Sequence, residues 1–177
     1  MSTRNLYLLC GPSGSGKSTV VEILTSYGYT KAKTCTTRAP RLDEPLDSYY
    51  FLSEEEFSRR KDMLTVAQYS GAYYGVYPEE LGHCDIFIVE PKGVDQLKEQ
   101  FTTRPIKVIG LTASEFSLYS RLRPRGQRGI ERFRRDKVDF NGFETLCNIV
   151  IQNENLDCAV DTLCTYIRET EHSSYTE

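Results

Sequence analysis

Residues Gly11-Pro12-Ser13-Gly14-Ser15-Gly16-Lys17-Ser18 match the spacing G-x-x-x-x-G-K-[ST], and no other stretch constrains this chain as tightly. The preceding Leu6-Tyr7-Leu8-Leu9-Cys10 is a short apolar run that reads as a buried strand. Val20, Val21, Ile23, Leu24 and Tyr27 then recur at helical spacing, and Gly28 is placed to stop that helix as its C′ residue. Strand, glycine turn and helix start are the context such a loop needs. Glycines let the backbone turn sharply and aim successive N–H groups at one anion, and the helix N-terminus adds partial positive charge. Lys17 is placed to reach the outer phosphates of a nucleoside triphosphate, and the Ser18 hydroxyl to ligate Mg²⁺. A strand–helix turn that binds nothing is the bland alternative, but chance matches to this spacing are rare at average residue frequencies.

A chain of 177 residues suits one compact domain around one core. No apolar run is long enough to span a bilayer, and the strand before Cys10 is too short and too polar at its flanks for a signal peptide. A cytoplasmic setting without a membrane partner is the expectation. Cys10, Cys35, Cys84, Cys147, Cys158 and Cys164 form no C-x-x-C pair and read as free thiols. The net charge of −3 conceals an asymmetry: residues 121–137 carry +6, so the remainder carries −9. A solvated helix face is the ordinary meaning of such a run. Here it follows a phosphate socket, which points to local phosphate handling, and the acidic remainder would repel a nucleic acid.

Further along, residues 29–37 read as a short extended segment and 49–52 as a strand. Ser53 and Glu56 form a capping box opening a helix to about Lys61, and strands follow over 63–69 and 72–77. Together they predict an antiparallel insertion over residues 33–82. An α/β rhythm then resumes: a strand over 85–90 ending in Glu90, a helix over 93–100 and a strand over 106–111. Ser114 is placed to cap a helix through Leu122, and a Pro- and Gly-punctuated loop leads to a basic helix starting at Ile130. A strand over 148–151 and a helix over 156–167 close the chain, and residues 169–177 read as a disordered polar tail. The alternation predicts an α/β fold with a mainly parallel sheet covered on both faces. Ligands are expected beyond the C-terminal strand ends, where Gly11 and Glu90 lie.

The combination of motifs resembles the guanylate kinases over nearly the whole chain. It runs through Gly11 to Thr19, Thr36-Thr37-Arg38-x-Pro40-Arg41-x-x-Glu44, Tyr50-Phe51-x-Ser53-x-Glu55-x-Phe57 and Gly71-x-Tyr73-Tyr74-Gly75. It ends with Arg121-Leu122-x-x-Arg125-Gly126 and Ile149-Val150-x-x-Asn153. The resemblance implies a three-layer P-loop NTPase fold with a core at 1–32, 83–122 and 141–168, a nucleoside monophosphate (NMP)-binding region at 33–82 and a short lid at 123–140. It implies phosphoryl transfer from Mg²⁺-ATP to GMP or dGMP by a monomer or homodimer. ATP would be held by Gly11, Pro12, Ser13, Gly14, Ser15, Gly16, Lys17, Ser18 and Thr19. Arg38 and Arg41 would grip the acceptor phosphate with the Tyr50 and Tyr74 hydroxyls, since forked guanidiniums and phenols match a phosphate dianion. Arg125 would be one lid arginine, and Arg132 or Arg135 the second.

The base-reading positions depart from the family. Thr65 stands where a glutamate would accept two N–H groups of guanine, and Val76 where a Ser or Thr is usual. Thr34 replaces a serine conservatively, and Glu90 lengthens the usual aspartate. Glu79 or Glu80 could supply the missing acid in a shifted register. A kinase of another phosphorylated small molecule and a non-catalytic binding module remain as alternatives. The complete glycine socket and lid arginines argue against the module.

Overall fold

The computed structural model describes residues 4–40, 45–69 and 71–173. In chain order the first half contains β1 (Leu6–Cys10), α1 (Lys17–Ser26), β2 (Cys35–Thr36), β3 (Tyr50–Phe51), α2 (Glu54–Arg59), β4 (Leu64–Tyr69), β5 (Ala72–Val76) and α3 (Pro78–His83). The second half contains β6 (Ile86–Ile88), α4 (Pro91–Gln100), β7 (Ile106–Thr112), α5 (Glu115–Leu122), α6 (Gln127–Asp139), β8 (Ile149–Gln152) and α7 (Leu156–Ser173).

The central sheet has the order β6-β1-β7-β8, and every neighbouring pair is parallel. β1 is buried along its whole length, as a strand covered on both faces must be. Its side chains alternate between two cores. Leu6, Leu8 and Cys10 join Val94, Leu97 and Phe143 on one face, so α4 covers that side. Tyr7 and Leu9 join Val20, Leu24, Leu163 and Ile167 on the other, under α1 and α7. The result is the expected three-layer fold.

Local signals in the sequence are realised where they were strongest. The Gly28 N–H bonds the Thr25 carbonyl at 3.0 Å and the Tyr29 N–H bonds the Leu24 carbonyl at 3.1 Å, which is the Schellman stop of α1. Both halves of the Ser53–Glu56 capping box are formed, and the Ser114 hydroxyl accepts the Ser117 N–H at the start of α5.

The second sheet, in the order β3-β2-β5-β4, belongs to the insertion. It is mixed, with β2 and β3 parallel and the other pairs antiparallel. The extended segment over 29–37 pairs as a strand at Cys35–Thr36, with a separate parallel bridge from Lys31 to Ile86, and the strand predicted over 49–52 shrinks to Tyr50–Phe51. The helix α3 was not foreseen; Pro78 at its first position and Glu79 and Glu80 in its first turn are its signal.

Two boundaries differ from expectation. α6 begins at Gln127 rather than Ile130, since one 3₁₀ turn, Arg123–Arg125, suffices to redirect the chain and Gly126 caps the new helix. The tail read as disordered from 169 is helical to Ser173. The physical reason is the buried hydroxyl of Tyr7, which donates to Glu171 Oε1 at 2.6 Å, while the Asn5 N–H donates to the same oxygen at 3.0 Å. Burial and the bond to Glu171 together push the Tyr7 phenol far up. Residues 174–177 lie outside the described part of the chain.

Candidate active site

The glycine loop leaves the C-terminal end of β1 and passes directly beneath β7. A Cβ on Gly11 would overlap the Leu111 carbonyl oxygen, so only glycine fits. Gly16 has φ +98°, and a Cβ there would run into the Asn153 side-chain amide. The loop's carbonyls are held by the protein. Lys17 Nζ donates to the Gly11 oxygen at 2.6 Å and to the Pro12 oxygen at 2.9 Å. Arg121 Nη1 donates to the Gly14 oxygen at 3.2 Å, and Asn153 Nδ2 to the Ser15 oxygen at 2.9 Å. Arg121 Nη2 also donates to the Asn153 oxygen at 2.7 Å, tying α5 to the end of β8. Ser18 and Thr19 stand exposed in the first turn of α1, and Ser15 is buried. Burial pushes Lys17 down to about 8, against the opposing pull of the Asp136 carboxylate.

Helix α6 approaches the same loop. The Ser13 N–H donates to Asp136 Oδ2 of α6 at 2.5 Å. Arg132 and Arg135 are half-buried, whereas Arg123, Arg125, Arg128 and Arg134 are exposed. Arg132 bears electrostatically on Lys17, and Arg135 on Glu90 while it pairs with Asp139 at 3.6 Å. Glu90 is the N-cap residue of α4 and is open to solvent, yet partial burial and then the Asp139 charge raise its carboxyl above the ordinary range.

On the insertion side, Arg38 is half-buried, with its guanidinium 5.1 Å from the Tyr49 ring centre and 5.6 Å from that of Phe51. Its Nη1 donates to the Ala39 oxygen at 2.8 Å. Tyr74 sits opposite Thr36 in the β2–β5 ladder, and Tyr49 stacks on it edge to face at 6.5 Å. Tyr50 donates its proton to Glu80 Oε1 at 2.6 Å, and that bond is the first cause of its rise to about 12. The sequence reading missed this pairing. Thr34 accepts the Tyr50 N–H through its carbonyl at 2.9 Å. Thr65 is a β-branched residue at φ 53°, inside an irregularity of the β4–β5 ladder, and its methyl lies close to Gly93 in the first turn of α4. Such a φ is a backbone outlier for threonine. Val76 is fully buried among Leu81 and Val94, within the core. Arg41 lies outside the described residues.

The loop and its lysine thus meet α5, α6 and the end of β8 beyond the C-terminal end of β1, and Arg38, Tyr50 and Tyr74 are carried on the insertion. A family model described as guanylate kinase matches residues 3–170. The chain belongs to the guanylate kinase family. A guanylate kinase of Prochlorococcus marinus subsp. pastoris is 34% identical over 135 residues, covering 70% of this chain and 73% of that protein. A guanylate kinase of Porphyromonas gingivalis is 31% identical over 175 residues, covering 89% and 93%. In fold, the chain is similar to the crystal structure of guanylate kinase from Anaplasma phagocytophilum, with a TM-score of 0.71, 22% identity and coverage of 97% and 88%. As a guanylate kinase, the chain is a nucleoside monophosphate kinase, and ATP-dependent phosphorylation of GMP is its reaction. No described helix is long and apolar enough to cross a membrane.

Proposed function

We infer that a cleft between the glycine loop and the insertion carries out this transfer, with GMP or dGMP as acceptor. The observation that carries the assignment is the loop itself, whose carbonyls are held by Lys17, Arg121 and Asn153 while Lys17 is kept half-buried beside it. Both substrates are polyanions, so the chemistry is alignment and charge neutralisation rather than covalent catalysis. Loop N–H groups and Lys17 hold the outer phosphates of ATP. Arg38, with Arg41 and the Tyr74 hydroxyl, positions the acceptor phosphate; the Tyr50 proton, expected there too, is taken by Glu80. Arg132 and Arg135 bring positive charge from the lid, with Arg125 at its edge. The lid and insertion exclude water that would otherwise hydrolyse ATP.

The donor set suits Mg²⁺, a hard cation that prefers oxygen ligands and retains waters. Ser18 is exposed in the first turn of α1, and Glu90 is exposed at the N-cap of α4. Ser18 would hold the ion, which would neutralise charge on the phosphates. Thr34, Thr65 and Glu90 line the base side of the acceptor site by their family positions, and of these Glu90 alone brings an ionisable carboxyl; Val76, expected there too, is fully buried in the core and offers a base no contact. The six free cysteines suit a reducing cytoplasm.

The deciding assay follows ADP release from Mg²⁺-ATP with each nucleoside monophosphate in turn. GMP-dependent turnover that disappears in Lys17→Ala is the expected result. Turnover that persists in Lys17→Ala, or none with GMP, overturns the assignment.

A further inference from the structure

α6 carries three acids, and only one faces inward: Glu131 and Asp139 are exposed, while Asp136 is 7% exposed. Its Oδ2 accepts the Ser13 N–H at 2.5 Å. Ser13 lies inside the glycine loop, so this carboxylate uses one of the donors that the loop presents to an anion. Its negative charge is also the strongest support for the charged form of Lys17, and Arg132, one turn earlier on the same helix, bears on Lys17 as well. A buried carboxylate is tolerated only where charges and N–H groups meet it. Asp136 has found such a place in the socket itself.

We propose that Asp136 is an internal counter-anion: without nucleotide it occupies the phosphate-facing side of the glycine loop and holds the lid helix there, and incoming phosphates displace it. The proposal rests on the loop being the donor-nucleotide site. One N–H cannot serve a carboxylate and a phosphate at full strength together, and two anions at that separation repel. The carboxylate must therefore leave. Because it is fixed to α6, its departure moves Arg132 and Arg135 with it, so nucleotide arrival and lid rearrangement become one event. The cost is affinity, since phosphate must compete with a resident anion.

The test measures ADP binding by titration calorimetry, in the presence of Mg²⁺, for the wild type, Asp136→Asn and Asp136→Ala. Asn keeps the size and one acceptor oxygen but not the charge. ADP is expected to bind about tenfold more tightly to Asp136→Asn, the scale of one charge-assisted hydrogen bond. Inorganic pyrophosphate should gain similarly, which places the effect on the phosphates rather than on the base. A merely structural role, or one in which the carboxylate assists the bound metal, predicts weaker binding in the variants. Weaker or unchanged binding overturns the proposal. Should the variants fail to fold, the Asp136 carboxyl carbon resonance of the wild type decides: it shifts when pyrophosphate is added, or the proposal falls. A wild type that binds ADP equally well after Lys17→Ala overturns the site assignment and this proposal with it. Loss of binding in Lys17→Ala without tightening in the Asp136 variants overturns this proposal alone.

Discussion

Replacing Lys17 by methionine should reveal the cost of burying its amine beside the glycine loop. In the folded protein, burial lowers the Lys17 ammonium from 10.5 to about 8, partly offset by Asp136. That displacement corresponds to about 3 kcal/mol of disfavoured charging. The sign follows from proton counts. Between about pH 8 and 10.5 the unfolded chain still holds the Lys17 proton while the folded chain has released it. Stability attributable to Lys17 therefore rises with pH across that window, and below it the folded state carries the full penalty. Urea unfolding of the wild type and Lys17→Met at steps from about pH 7 to 11 isolates the effect, since the other lysines and the tyrosines are common to both. The wild type should gain about 3 kcal/mol on the variant across the series. A flat difference would show that Lys17 is not desolvated, and the placement of its amine against the Gly11 and Pro12 carbonyls would be wrong. Saturating ADP should compress the wild-type gain, because phosphates favour the charged amine.

Thr65→Glu removes a β-branch from a strained backbone and adds a carboxylate beside Gly93; the KM for GMP should fall about tenfold or more in the ADP-release assay, and an unmoved KM would take Thr65 out of the base site. Gly16→Ala forces a side chain onto φ +98° and into the Asn153 amide, so it should cost at least about 2 kcal/mol, lower Tm by about 4 °C or more and abolish ADP binding. Deleting residues 169–177 strips Glu171 from the Tyr7 hydroxyl and the Asn5 N–H, with an expected loss of about 2 kcal/mol by urea unfolding. Unaltered stability would return the tail to a passive role.

What the sequence made legible depended on the distance over which each signal acts. The glycine loop, the Schellman stop at Gly28 and the Ser53–Glu56 box are written within a few neighbouring residues, and each forms as read. Helix α3 was equally local, announced by Pro78 and two acids, but apolar periodicity is too short there to raise it above the surrounding loop. The helical tail and the Asp136–Ser13 contact are of another kind. Their partners stand more than a hundred residues away, and nothing around Glu171 or Asp136 distinguishes them from solvated charges. The pairing of Tyr50 with Glu80 was hidden differently: a phenol read as a phosphate ligand meets an acid from a helix that periodicity did not reveal. Arg132 and Arg135 were indistinguishable along the chain because they lie on adjoining sides of one helix, and packing half-buries both.

The bracing of the glycine loop gives its dipoles a single polarity. Oxygens of residues 11, 12, 14 and 15 each accept from a cation or an amide behind the loop, and that of residue 16 from the Val20 N–H. Orientation that water would have to surrender at every turnover is thus set once, when the chain folds. At Arg121 and Asn153, unlike at Lys17, the bonds that sustain the native state are the same ones that ready the loop for reaction, so durability and speed there decline together.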